Sequence, residues 1–252
     1  MIKLIEHGSS STYPYTAKKW THYLWEFLML FLAVFCGFLA EYQLEHKIEK
    51  ERGKQFMLMM AEDLTKDTAI LQSSLQSIHR MISRLDTAAE LIQNKRYVDK
   101  DGIKALYNLY LLSLPSIGFT LTDRTSVQLK NAGGMRLISK RNVADSIVGY
   151  WSEIDHIKRL EIIFEEIRIK IKDQSYSIFD NRFYPGGGGN NSIRAIKEPV
   201  LLTYDEKYLI EFANKVSHLR AALNGAYVSY INRTKIKAIN LLALVKKEYD
   251  LK

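Results

Sequence analysis

An uncharged apolar run, Phe27 to Ala40 (FLMLFLAVFCGFLA), constrains this chain more than any other feature. With the flank Tyr23-Leu24-Trp25-Glu26 it reaches about 18 residues, about 27 Å as a helix, which covers the hydrocarbon core of a bilayer. Hydrocarbon offers no hydrogen-bond partners, so a single span must satisfy its own backbone, as a helix does. No other stretch rivals it: Ile236 to Val245 is too short and too closely flanked by lysine to cross.

Two competitors pass a similar test. A cleaved signal peptide carries a shorter apolar core nearer its start and ends at a small-x-small site. Here residues 1–22 precede the segment, and it closes on Gly37-Phe38-Leu39-Ala40-Glu41, a poor cleavage site. Phe35, standing before Cys36, also departs from a lipoprotein signal. The core helix of a soluble protein is the other competitor, and the flanks speak against it. Trp20, Tyr23 and Trp25 on one side and Tyr42 on the other match the aromatic belts of two membrane interfaces, with Phe27, Leu30, Val34 and Phe38 along the span. Residues 20–42 are therefore the expected transmembrane helix, with the bilayer as its first partner.

Lys18 and Lys19 at the amino end, against Glu41 and Glu45 at the other, point to a cytoplasmic N-terminus and a periplasmic C-terminal domain at a bacterial inner membrane. Lys47, Lys50, Arg52 and Lys54 weigh the other way. Within the span, Glu26 is the pointed residue, because a carboxylate there is costly unless paired or protonated. His22 lies four residues earlier on the same helix face. One reading places Glu26 among the headgroups beside Lys19 and His22; the sharper one has it meet a partner membrane helix. Ala33 and Gly37, four apart, allow close helix packing.

Residues 43–252 form the expected extramembrane domain, large enough for its own core. The net charge of +8 resides mostly there, but Lys and Arg alternate with Glu and Asp along it (HKIEKERGK, EEIRIKIKDQ). That is a solvated helix face rather than a nucleic-acid footprint, so no nucleic-acid partner is expected. Cys36 is the single cysteine, which leaves the domain without disulfide or thiol chemistry.

Only four prolines, at positions 14, 115, 185 and 199, interrupt the chain. Residues 1–19, polar and rich in Ser, Thr and Tyr, read as a flexible tail. A helix is expected to run on from the membrane segment through Glu41 to Tyr97. It carries Met57, Ala61, Leu64, Leu71, Leu75, Ile78, Ile82, Leu85, Ala89 and Ile92, the last seven in steps of four and three that mark a packed seam. Shorter helices are expected over 100–112 and 123–131, the latter closed by Gly133-Gly134. Asn142 is the expected cap of a long helix to Ser177, with Ile147, Tyr150, Ile154, Ile157, Phe164, Ile167 and Ile171 on one side. Residues 178–203, with Pro185 and Gly186-Gly187-Gly188-Gly189, form the longest irregular segment. Tyr184 and Tyr204 border the glycines as candidate recognition residues. A final helix over 204–249 carries a seam of Phe212, Val216, Leu219, Leu223, Ala226 and Tyr230. The fold class is all-α: a transmembrane helix continuing into an elongated antiparallel bundle.

The segments EHKIEKERGKQFMLMMAEDLTKDT and SVQLKNAGGMRLISKRNVADSIVGYW resemble a family of uncharacterised single-pass inner-membrane proteins of Bacteroidota. The family pairs an acidic "DL..D" segment, here Glu62-Asp63-Leu64-Thr65-Lys66-Asp67, with an "LK..G...LI" turn, here Leu129 to Ile138. The resemblance covers about residues 18–180 and implies a bacterial inner-membrane protein, with no activity attached.

Catalytic and metal signatures are sparse. Glu153-Ile154-Asp155-His156 is one Glu-x-x-His unit, and no second copy exists to complete a di-iron site. Gly186 to Gly189 lack the Gly-Lys-Ser/Thr continuation of a phosphate loop. No catalytic residue, cofactor or metal is assigned. The expected role is a non-enzymatic scaffold or accessory subunit of an envelope complex that self-associates or binds another membrane protein. The alternative is a sensory or ligand-binding module signalling through a partner protein.

Overall fold

The computed structural model describes residues 20–113, 115–131, 133–180, 183 and 198–251. The protein is all-α, with no β-strand among the described residues beyond a single antiparallel bridge between Phe179 and Leu201. Helix α1 runs from Trp20 to Gln93 over 74 residues, α2 from Lys100 to Ser113, α3 from Arg124 to Asn131 and α4 from Arg141 to Ser175. Helix α5 (Glu206–Ala222) passes through a π-helical turn, Leu223–Tyr227, into α6 (Val228–Glu248).

The chain divides between Glu51 and Arg52 into two compact units. In the first, every side chain from Trp20 to Lys47 is exposed. The second holds the core, which begins on α1 at Gly53 and Met57. Of the expected α1 seam, Met57, Leu64, Leu71, Leu75, Ile78, Leu85, Ala89 and Ile92 are buried, and Ala61 and Ile82 are half-buried. Each such Leu or Ile contributes about 1.5–3 kcal/mol on leaving water.

Helix directions follow from cross-helix pairs. Gln72 on α1 meets Lys235 on α6, Asp86 meets Arg220 on α5, and Lys95 meets Glu206, so residues 72–95 run antiparallel to α5–α6. Asn142 at the start of α4 meets Glu248, Glu153 meets Arg233 and Lys237, and Gln174 meets Lys215, so α4 is antiparallel to α5–α6 as well.

Several expectations shift at element ends. Helix α1 stops at Gln93 rather than Tyr97 because Lys95 takes a left-handed conformation (φ 54°), and Arg96–Val98 follow as a 3-10 turn. Asn142 is not the N-cap of α4: the helix starts at Arg141 after Lys140, which offers no side-chain bond, and Asn142 lies in the first turn, its Oδ1 accepting from the Val143 amide at 3.0 Å while its amide donates to Glu248. Of the pair after α3, only Gly133 adopts a left-handed φ, 60°, while Gly134 opens a 3-10 turn. Asp205 caps α5, its carboxylate accepting from the Tyr208 amide at 3.0 Å.

The seam of the last helix is displaced. The expected Ala226 and Tyr230 are only half-buried, and Tyr227, Ile231, Thr234, Ala238, Leu241 and Val245 take the core instead. The π turn inserts one extra residue into the helical repeat, so every core position after Leu223 falls one residue later than a continuous heptad would place it.

Candidate functional site

The first feature built from these elements is the exposed part of α1. Among the described residues, none of its most apolar 18-residue window is buried. Trp20, Trp25, Phe27, Leu30, Phe38 and Tyr42 are each more than half exposed. The helical repeat sorts the surface into two faces. Phe27, Phe31 and Phe35, four apart, stack ring on ring, with centroids 6.3 and 5.9 Å apart and planes within 20°. On the other face lie His22, Glu26, Ala33, Gly37 and Ala40, spaced by four, seven, four and three. His22 Nε2 and Glu26 Oε1 are 3.0 Å apart, so the carboxylate that borders the run has a partner on its own helix.

The second feature is a pair of buried acids, Asp63 and Asp67, 3 % and 1 % exposed. Both belong to the acidic segment singled out from the sequence, and both face the connection into α3. Asp63 accepts from the Thr125 amide at 3.1 Å and the Thr125 hydroxyl at 2.5 Å, and pairs with Arg124 at 3.1 Å. Asp67 accepts from the Thr122 amide at 2.7 Å and from the Tyr150 hydroxyl at 2.7 Å. The Asp63 carboxylate thus satisfies an orphan donor in the first turn of α3 from a different helix. Burial pushes the Asp67 carboxyl above its ordinary value, against the hydrogen bonds that lower it. Burial likewise pushes the Tyr150 hydroxyl up, and the neighbouring Asp67 charge adds to it.

A third polar knot holds the same connection from behind. Tyr227, delivered to the core by the π turn, donates to Glu161 Oε1 at 2.8 Å and lies 3.3 Å from the Ile117 carbonyl. Glu161 also accepts from the Phe119 amide at 3.3 Å. Tyr107 plays a similar part at the far end, donating to the Val200 carbonyl and accepting from the Asp180 amide. Burial raises its hydroxyl to about 12. These groups fix backbone.

The Glu-x-x-His unit comes apart in space. Glu153 is occupied by Arg233 and Lys237, each at 2.7 Å. His156 instead stacks on Tyr230, with ring centroids 5.6 Å apart. Among the described residues no group of three or more His, Cys, Asp or Glu side chains is placed to hold a metal ion. Tyr204 is half exposed, and its hydroxyl accepts from the Leu201 amide at 3.2 Å. Tyr184 and Gly186, Gly187, Gly188 and Gly189 lie outside the described residues. Sequence reasoning singled out the acidic segment without finding its partners, since Thr122, Thr125 and Tyr150 carry no pattern that announces a long-range contact. Compared with family models, curated proteins and solved structures, the chain matches none.

Proposed function

We propose that the protein is a non-enzymatic, single-pass membrane protein whose helical bundle serves as a scaffold or accessory subunit of an envelope complex. One observation carries this reading: an apolar helix of membrane-spanning length whose most apolar window is unburied among the described residues. An exposed aromatic and aliphatic surface of that extent is unfavourable in water and favourable in lipid. The two-faced arrangement supports a division of labour. The Phe27–Phe31–Phe35 ladder faces lipid, while the side bearing His22, Glu26, Ala33 and Gly37 meets a second copy or another membrane protein, small residues admitting a close approach. The proposed location is a bacterial inner membrane, as the resemblance to the Bacteroidota family implies, with the N-terminus in the cytoplasm and the bundle in the periplasm on the strength of Lys18 and Lys19 at the amino end.

The test is alkaline carbonate extraction of native membranes, followed by cross-linking of the retained fraction. The expected result is a chain that stays in the pellet and cross-links to itself or to a recurrent membrane partner, with Glu26→Gln weakening that product. Release into the supernatant, or a retained chain that is only ever monomeric and alone, overturns the reading. The second reading, a ligand-binding module acting through a partner, is favoured by a cleft of about 420 Å³ between α1 and residues 115–119.

A further inference from the structure

Three elements converge at the end of the bundle where α1 enters it. Gly53 lies so close to the Leu137 carbonyl that no Cβ fits between them, which sets α1 directly against the turn preceding α4. Lys140, just after that turn, pairs with Glu248 at 3.7 Å, and the Asn142 side-chain amide donates to Glu248 at 3.2 Å. The C-terminal end of α6 therefore meets the same place.

Charge at this end is one-sided. Arg52 and Lys54 on α1, and Lys246 and Lys247 in the last turn of α6, are exposed. Among the described residues none of the four has a carboxylate at ion-pairing distance. The acids within these elements are already engaged, Glu248 by Lys140 and Asp145 by Arg141. Two further exposed acids, Glu51 and Asp250, are close in sequence and do not balance four free cations. The opposite end, about 60 Å along α1 from Gly53, is neutralised by contrast. There Lys95, Arg96 and Lys100 hold Glu206, Asp99 and Glu198 at 2.8, 2.7 and 2.7 Å. The helix dipole alone accounts for two lysines at the end of α6. It does not account for Arg52 and Lys54, which stand in the interior of α1.

We infer that this basic end of the bundle docks on an anionic bilayer surface, with Arg52, Lys54, Lys246 and Lys247 meeting lipid phosphates. The inference rests on the membrane reading given above. Arg52 follows Ala40, the last residue of the apolar run, by twelve residues. That tether is about 18 Å as helix and at most about 43 Å at full stretch, so the end that the anchor brings to the lipid is the basic one. Each Lys or Arg near an anionic leaflet strengthens attachment about fivefold, and the attraction fades beyond a Debye length of about 10 Å at 0.1 M salt. The contact orients the bundle and adds to the anchor without replacing it.

The test places the full chain in lipid nanodiscs of phosphatidylcholine, alone or mixed with phosphatidylglycerol, and reads the acylation rate of each lysine by mass spectrometry. Phosphatidylglycerol is expected to slow Lys54, Lys246 and Lys247 about threefold or more while Lys207, exposed at the neutralised end, keeps its rate. Salt at about 1 M, where the Debye length is about 3 Å, restores the rates in the parent chain, so this arm needs no variant. Lys246→Glu with Lys247→Glu is expected to release Lys54 from protection, and Lys104→Glu with Lys207→Glu to leave it protected. Equal rates in the two lipids, slowing that survives salt, or equal slowing at Lys207 overturns the docking surface and leaves the anchor standing. A chain that never elutes with the discs overturns the anchor reading, and this inference with it.

Discussion

Asp67 shows how one buried acid couples the connection into α3 to the long helices. Its carboxylate is the acceptor for both the Thr122 amide and the Tyr150 hydroxyl, so Asp67→Ala strands one part-buried and one buried donor and is expected to cost about 2–4 kcal/mol in urea denaturation. Asp67→Asn keeps the carbonyl for Thr122 and turns its amide toward the Tyr150 oxygen, and is expected to change stability by about 1 kcal/mol at neutral pH. The pH dependence separates the two roles. Because burial raises the Asp67 carboxyl, the folded chain keeps this proton to higher pH than the unfolded chain, whose value lies near 3.8. Its contribution to stability therefore falls as pH rises from 3.8 through the folded value, and is level above it. Glu153 has the opposite sign. Partial burial pushes its carboxyl up, but the hydrogen bonds from Lys237 and Arg233 outweigh this and hold it low, so its contribution is lost as pH falls below 4.5 through the folded value. Subtracting the Asp67→Asn stability from that of the parent cancels Glu153 and leaves a difference that declines from pH 4 upward; a flat or rising difference refutes the assignment. Tyr227→Phe is the companion case. It removes one of the two hydrogen bonds to Glu161 Oε1 and is expected to cost about 1–2 kcal/mol by the same measurement.

At the scale of elements, the glycines distinguish contact from propensity. Glycine inside a helix ordinarily costs about 1 kcal/mol relative to alanine. A Cβ at Gly53 on α1 would sit 2.3 Å from the Leu137 carbonyl oxygen, a backbone atom that cannot swing aside. Gly53→Ala is accordingly expected to destabilise by about 1–3 kcal/mol. Gly149 on α4 has nothing within 4 Å of the same atom, and Gly149→Ala is expected to stabilise by about 0.5–1 kcal/mol. Thermal melts of the two variants should move in opposite directions. The sequence makes this contrast invisible, because both glycines stand in unbroken helical patterns. What it does make visible is periodicity. The α1 seam and the α4 face follow from spacing alone: of its seven expected residues Ile147, Tyr150, Ile157, Phe164 and Ile171 are buried, and Ile154 and Ile167 are half-buried. The failures have local causes. The π turn carries no breaker, and Leu223-Asn224-Gly225-Ala226-Tyr227 reads as ordinary helix, so the frame shift that brings Tyr227 and Ile231 inward shows only in three dimensions. The partners of Asp63 and Asp67 stand 55 to 83 residues away in the chain, beyond the reach of any local pattern.

For the molecule as a whole, the two units present different surfaces to their surroundings. Residues 52–252 contain the buried core, while the apolar window near the N-terminus lies entirely outside it. Residues 52–252 are expected to fold without the apolar segment. A chain beginning at Arg52 is expected to be soluble and to unfold cooperatively, whereas the full chain is expected to sediment with membranes and resist carbonate. Val34 lies in the middle of the apolar run and is half exposed. A charge placed there costs about 2.5–3.5 kcal/mol of insertion free energy, roughly a hundredfold in the partition equilibrium. Val34→Arg is thus expected to move much of the chain from the pellet to the supernatant, and Ile236→Arg, on the exposed surface of α6, to leave the distribution unchanged. The pair matters because an adhesive bundle would mimic an anchor. Equal sedimentation of the parent, Val34→Arg and the chain from Arg52 would place membrane attachment in the bundle and leave the apolar helix to a protein partner, since water alone would not tolerate its exposed face.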